Sequence, residues 1–201
     1  DPQVMACKAG EDTNSCLTPA QVTAARALYQ PLVNPQTKQV INTPLEVGSE
    51  LGWTTFGGAQ PFVVATQFYQ FMVFRNPQWD WKTLTYDNFG KYVAESKRVV
   101  GPVLATDNPN LDGFRKRGGK ILFSHLWSST THAATKSIEY YEEVARRLHG
   151  GDNDRGFLFG KTQEFFRLFM VPSASGSKGP DTFDSMPLLE RWVEQGIPPQ
   201  S

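Results

Sequence analysis

The chain has 201 residues, of which 39% are hydrophobic, 12% aromatic and 20% charged. This composition is typical of a globular protein with a sizeable core and excludes a disordered tail. Lys and Arg together number 20 and Asp and Glu also number 20, so the formal net charge is +0. Such a balance provides no field to hold nucleic acid or an anionic membrane surface, and no apolar run reaches the ~20 residues of a membrane span. We expect neither partner.

Two cysteines near the N-terminus, Cys7 and Cys16, flank a polar, turn-rich stretch. A disulfide between them would close a short loop and would indicate an oxidising compartment, so we predict a secreted or periplasmic protein. Two unrelated thiols are the alternative. A zinc site needs more ligands than these two sulfurs offer, and the usual nucleotide and metal motifs do not occur, so we expect no metal and no cofactor.

The first third of the chain predicts one helix followed by irregular structure. Thr18 and Gln21 form a capping box around Pro19, which predicts the start of a short amphipathic helix. Residues 31–62 are rich in Pro and Gly and predict loops with short extended pieces. Trp53 and Phe56 lie in this stretch, where they either line a ligand pocket or form a hydrophobic plug under the loop.

Two further helices are predicted before residue 102. Residues 63–74 are apolar on nearly every side, which predicts a buried helix. Asp87 is the expected N-cap of a second helix that runs toward Gly101.

The last third of the chain alternates strands and helices. The apolar runs Ile121–Leu126 and Phe166–Val171 predict parallel strands, an amphipathic helix lies between them, and a helix over Leu188–Gln195 follows. This order predicts an α/β fold. Two parallel strands alone leave bare edges, so we expect either strands from another chain or a longer native protein.

His125 lies at the carboxyl end of the first predicted strand, where open α/β sheets place their functional sites. It is either a catalytic base or a histidine whose hydrogen bonds are satisfied in the core. Ser124, Ser129 and His132 surround it in the sequence and complete our list of candidate catalytic residues.

Several ordered blocks spread over essentially the whole chain resemble the tannase and feruloyl esterase family. These blocks are CLTPAQV, VGSELGW, NPQWDWKTLTYD, ATDNPNLDGFRKRGGKIL, YYEEV, FFRLFMVP and GPDTFDSMPLLERWVEQGIPP. The resemblance implies an α/β-hydrolase with a large, mostly helical and irregular lid, secreted and disulfide-bonded, that cleaves aromatic carboxylic esters through a Ser-His-Asp triad. We therefore expect a lid-like domain over residues 1–109 and the C-terminal part of an α/β-hydrolase core over residues 110–201.

The same resemblance implies that the triad is missing. The family's nucleophilic Ser, its oxyanion hole and the calcium site of its lid precede the point where this chain begins, so we expect part of a longer esterase. The family block Y-H-G-W-A-D-P aligns with residues 124–130, which puts Ser129 at the Asp position. The block M-V-P-G-M-G-H-C aligns with residues 170–177, which puts Gly176 at the His position and Ser177 at the final Cys. Catalysis by the family route is not expected.

Three functions remain open on the sequence alone. The first is binding of an aromatic ester or phenolic through the lid aromatics Trp53, Phe56, Phe71, Trp79 and Trp81. The second is ester hydrolysis by a rebuilt site, with Ser124, Ser128 or Ser129 as nucleophile and His125 or His132 as base. The third is assembly, in which bare strand edges pair with an N-terminal fragment or a second copy of the chain.

Overall fold

Two small sheets and a set of short helices make up the part of the chain that the computed structural model describes, residues 1–11, 14–148, 155–172 and 184–200. The helices are α1 (Pro19–Leu28), α2 (Val63–Gln67), α3 (Phe89–Val99), α4 (Gly101–Leu104), α5 (Asp112–Lys116), α6 (Ala134–Leu148), α7 (Arg155–Thr162) and α8 (Ser185–Gln195). The strands are β1 (Leu32–Val33), β2 (Val40–Asn42), β3 (Ile121–Leu126) and β4 (Phe166–Val171).

The N-terminal region confirms two predictions. Cys7 and Cys16 form a disulfide, with their Cα atoms 4.9 Å apart. At the start of α1, Gln21 N–H donates to Thr18 Oγ1 at 3.3 Å while Thr18 N–H donates to Gln21 Oε1 at 2.8 Å. These reciprocal bonds are the predicted capping box, and they satisfy backbone donors that the first turn of a helix leaves free.

Residues 31–62 contain the short extended pieces that their composition predicts. β1 and β2 pair as an antiparallel hairpin. Trp53, however, lies in a 3₁₀-helix over Glu50–Thr55 rather than in open loop.

The apolar segment 63–74 is helical as predicted, but the prediction that it is buried is wrong. α2 continues into a π-helix over Phe68–Val73. Val73 is 5% exposed, whereas Val64 and Phe71 are 57% and 54% exposed. The sequence of a segment with no polar face does not indicate which side will pack against the rest of the protein. Here only one side of the segment faces the neighbouring helix α3.

The packed side of the π-helix forms an aromatic cluster. Four rings meet with centroid separations of 5.4 to 6.0 Å. The rings belong to Tyr69, Phe74, Trp79 and Tyr92. Contacts of this number and geometry fix the π-helix against α3.

Asp87 is not the N-cap of α3, contrary to prediction. The helix begins one residue later than expected, and Asn88 is the N-cap. Asn88 Oδ1 accepts a hydrogen bond from Thr85 N–H at 2.8 Å, outside the helix, because the preceding residues form a turn.

The α/β arrangement of the last third is confirmed. β3 and β4 are parallel and pair in register from Ile121 with Phe166 to Leu126 with Val171. α8 ends at Gly196, whose φ of +68° is the left-handed conformation that glycine adopts without strain. The core between α6 and the sheet is formed by fully or nearly fully buried side chains, namely Tyr141, Val144, Phe165 and Phe166.

Removing the Phe166 ring should strongly destabilise this core. The side chain is 1% exposed and meets Tyr141 edge-on at 5.0 Å. We expect Phe166→Ala to lower the free energy of unfolding by about 3–5 kcal/mol, as measured by urea denaturation. Val103→Ala is the control, because Val103 is 83% exposed; it should stay within about 0.5 kcal/mol of wild type. Equal effects of the two substitutions would contradict the packing described here.

Candidate functional site

A cavity of about 560 Å³ lies at the carboxyl end of β3. It is open to solvent and is lined by the second half of β3, the loop that follows and the first turns of α6. Four of its lining residues are the candidates that the sequence predicts, namely Ser124, His125, Ser129 and His132. The tertiary structure therefore brings the His125, Ser129 and His132 side chains together, whereas Ser124 borders the cavity from a strand position whose side chain points away.

The alternation of the strand decides which β3 side chains face α6. Phe123 and His125 point to the same side because they are two residues apart, and His125 contacts Ser137 of α6. Ser124 points to the other side and is exposed. Trp127 N–H donates to Val171 O at 3.0 Å, so the loop after β3 starts from a fixed position.

The loop after β3 also packs against the segment that precedes Trp53. A Cβ atom placed on Gly52 would lie 2.4 Å from Thr130 Oγ1, well inside contact distance. The absence of a side chain at Gly52 allows this approach, which brings the 3₁₀-helix Glu50–Thr55 against the cavity loop. The boundary between the two predicted domains stays a prediction.

Both ring nitrogens of His125 have partners. Nε2 lies 3.1 Å from the His132 carbonyl oxygen, which can only accept, so Nε2 carries the proton. In the neutral ring Nδ1 is then an acceptor, and Ser137 Oγ lies 2.6 Å away to donate to it. These bonds tie β3, the cavity loop and α6 together through one imidazole.

Sequence reasoning missed Ser137. It is 7% exposed and lines the cavity beside His125. One signal was available: Ser137 falls on the same face of α6 as the buried Ala134 and Tyr141, and a polar residue on a buried helical stripe needs a partner.

His132 and Ser129 interact within the loop. His132 is exposed, with Nδ1 3.0 Å from Thr131 Oγ1. Ser129 Oγ accepts from His132 N–H at 3.4 Å. The Ser129 hydroxyl is therefore oriented by the backbone of its own loop.

A carboxylate that the sequence did not suggest also lines the cavity. Asp107 lies far upstream of β3 in the sequence but reaches the same space, together with Tyr140 of α6. Burial and, second, the negative charge of Asp107 raise the pKa of Tyr140 above its ordinary value. The Tyr140 hydroxyl donates to Asn108 O at 3.2 Å. The phenol thus stays protonated at neutral pH and is held in place.

Trp53, one of the predicted lid aromatics, is fixed by its own neighbourhood. Its indole N–H donates to Ser49 Oγ at 3.0 Å, and Ser49 is fully buried. Its ring meets Tyr29 edge-on at 5.3 Å, and the Tyr29 hydroxyl donates to the Glu50 carboxylate. This hydrogen bond contributes to a raised pKa for Tyr29, although burial is the larger cause.

The other predicted lid aromatics lie apart from Trp53. Phe56 meets Phe62 at 5.0 Å, and Trp79 belongs to the aromatic cluster around the π-helix. Phe71 and Trp81 are 54% and 38% exposed. The described cavities do not join these rings, and their role in ligand binding stays a prediction.

Among the described ranges, no group of three or more His, Cys, Asp and Glu side chains is placed to hold a metal ion. In the same ranges, no helix is long and apolar enough to cross a membrane. Gly176 and Ser177, which the sequence predicts at the family's His and Cys positions, lie outside the residues that the structure describes.

Comparison with known proteins identifies what the chain is similar to. The family model "Tannase and feruloyl esterase" matches residues 1–201. An uncharacterized esterase of Xanthomonas campestris is 32% identical over 241 residues, covering 100% of this chain and 41% of that protein. Feruloyl esterase C of Talaromyces stipitatus is 26% identical and covers 96% of this chain and 38% of that protein.

Solved structures give the same result for the fold. The crystal structure of feruloyl esterase B from Aspergillus oryzae superposes with a TM-score of 0.80 and 24% identity, covering 99% of this chain and 41% of that one. The predicted fold class is thereby confirmed. This chain spans about two-fifths of the length of these relatives. Because the family model matches it from end to end, the chain belongs to the tannase and feruloyl esterase family.

Proposed function

We propose that this chain binds an aromatic carboxylic ester or a phenolic in the cavity at the carboxyl end of β3, without catalysis by the family's Ser-His-Asp route. The observation that carries this proposal is the lining of the cavity. Phe123 and Tyr140 supply rings, and the polar groups of Ser129, His132 and Ser137 line the same cavity. An aromatic ester presents the same combination, a flat ring next to a carbonyl and hydroxyl groups.

The sequence resemblance supports binding over family-type catalysis. It implies Ser129 at the position of the triad Asp, and a hydroxyl cannot stabilise an imidazolium as a carboxylate does. It also implies Gly176 at the position of the triad His, and glycine has no side chain to accept a proton. Loss of single triad members costs several orders of magnitude in rate in related enzymes, so turnover by that route would be at background.

The disulfide supports a place outside the reducing cytosol. The Cys7–Cys16 bond would persist in a secreted or periplasmic protein, where thiols are not kept reduced. Feruloyl esterase C of Talaromyces stipitatus and a probable feruloyl esterase of Aspergillus flavus are among the relatives, and their names indicate feruloyl esters as the substrates of those proteins.

The binding proposal is tested with methyl ferulate at millimolar concentration. We expect chemical-shift changes in ¹⁵N–¹H spectra that concentrate on β3 and the first turns of α6. Ser129→Trp should weaken binding at least about tenfold, because Ser129 lines the cavity of about 560 Å³ and the indole would occupy part of that space.

Val40→Trp is the matched control, since Val40 is a strand residue, 57% exposed, that does not line this cavity. It should leave the affinity unchanged. Shift changes confined to Trp53, Phe56 or Trp81 would overturn the β3 cavity as the site and favour the lid aromatics. Absence of any shift change would overturn the binding proposal.

A second candidate function is assembly with another copy of the chain. In a parallel pair, the backbone N–H and C=O groups of every second residue point to the neighbouring strand. In β3 these residues begin with Ile121, whose N–H donates to Phe165 O at 2.7 Å. The backbone N–H and C=O groups of Leu122, Ser124 and Leu126 therefore point away from β4. Among the described residues β3 pairs only with β4. Such an edge is a template for a further strand, and a two-fold axis would pair β3 with β3 of the second copy.

The assembly candidate predicts a mass near twice 22.5 kDa in sedimentation equilibrium. Ser124→Pro should reduce the dimer to monomer, because proline removes an N–H that points to the free edge and leaves the bonds to β4 in place. Ser124→Ala, which keeps that N–H, should remain dimeric. A monomeric wild-type chain would rule out this candidate.

A further inference from the structure

We infer that the cavity contains its own nucleophile: Ser137, activated by His125, accepts the acyl group of an aromatic ester. This inference rests on the proposed binding of such an ester in the same cavity. It differs from the rebuilt sites that the sequence suggests, in which Ser124, Ser128 or Ser129 is the nucleophile.

Three groups stand in the order that an activated serine needs. Ser137 Oγ lies 2.6 Å from His125 Nδ1, within hydrogen-bond distance of a base that is free to accept its proton. His125 Nε2–H donates to His132 O at 3.1 Å. The carbonyl fixes the tautomer and the ring orientation, which is the part that a carboxylate plays in the Ser-His-Asp triad.

Ser137 is also better placed than the other cavity serines. Ser129 Oγ is engaged by His132 N–H at 3.4 Å, and Ser124 is exposed on the far side of the strand. Ser137 lies on α6, which is packed against the core, so its hydroxyl is held by a rigid element. It is 7% exposed and lines the cavity, so a carbonyl reaches it only from within that space.

The acyl transfer balances with groups that the chain contains. Ser137 Oγ bonds to the carbonyl carbon of the ester while its proton passes to His125 Nδ1. The bond from that carbon to the alcohol oxygen then breaks, and Nδ1–H returns the proton to the departing alkoxide. The products are an ester on Ser137 and the free alcohol, and His125 is again neutral.

Turnover should be slow compared with acylation by a reactive reagent. A neutral carbonyl at His132 stabilises the imidazolium less than a carboxylate would, so each step that protonates His125 has a higher barrier. A reagent that traps the nucleophile irreversibly is therefore a more sensitive test than steady-state hydrolysis.

The probe is phenylmethylsulfonyl fluoride, which forms a sulfonyl ester on an activated serine with loss of fluoride. We expect a single adduct in the intact mass and its assignment to Ser137 by peptide mapping. Ser137→Ala should abolish labelling, and His125→Gln should reduce its rate at least about a hundredfold.

Ser96→Ala is the matched control, because Ser96 is a half-buried helical serine whose Oγ donates to the Val93 carbonyl at 2.8 Å. It should label at the wild-type rate. Circular dichroism shows whether each variant folds. An adduct on another serine, or no adduct on the folded wild-type protein, would overturn the inference.

Methyl ferulate binding to the Ser137→Ala variant separates the two proposals. Retained binding together with the loss of labelling supports both. Binding by a wild-type protein that takes no label refutes the nucleophile and leaves the binding function intact. Labelling of Ser137 without methyl ferulate binding refutes the binding function.

Discussion

The parallel pairing of β3 with β4 is the interaction on which the rest of the site depends. Six residue pairs, from Ile121 with Phe166 to Leu126 with Val171, fix the register of the two strands, so both strands end at the same edge of the sheet. α6 covers one face of this pair, and the burial of Phe166 at 1% exposure supplies the apolar contact that holds it there. The cavity exists because the loop after β3 must cross from the strand end to the start of α6.

One imidazole links the three parts of the cavity. His125 belongs to β3, accepts from Ser137 of α6 and donates to the carbonyl of His132 in the loop. The two alternatives for His125, a histidine with satisfied hydrogen bonds and a base, are therefore compatible. The hydrogen bonds that satisfy the partly buried ring also fix its tautomer, and the same geometry underlies the proposed activation of Ser137.

Local patterns predicted the elements well. The capping box at Thr18 and the two apolar runs of β3 and β4 depend on neighbouring residues, and the structure reproduces them. The failures concern features that neighbours do not encode. Residues 63–74 have no polar face, so their sequence could not reveal that Phe71 is exposed, and Asp87 lost the capping role because a turn placed Asn88 there.

The candidate site divides in the same way. The sequence by itself determined that Ser124, His125, Ser129 and His132 occupy the carboxyl end of a strand, because strand ends and their loops are local in sequence. Only the tertiary structure decided that Ser137 is the hydroxyl bonded to His125 and that Asp107 lies beside Tyr140. Such contacts join segments that are distant along the chain, and their distances follow from how α6 packs on the sheet rather than from any spacing of residues.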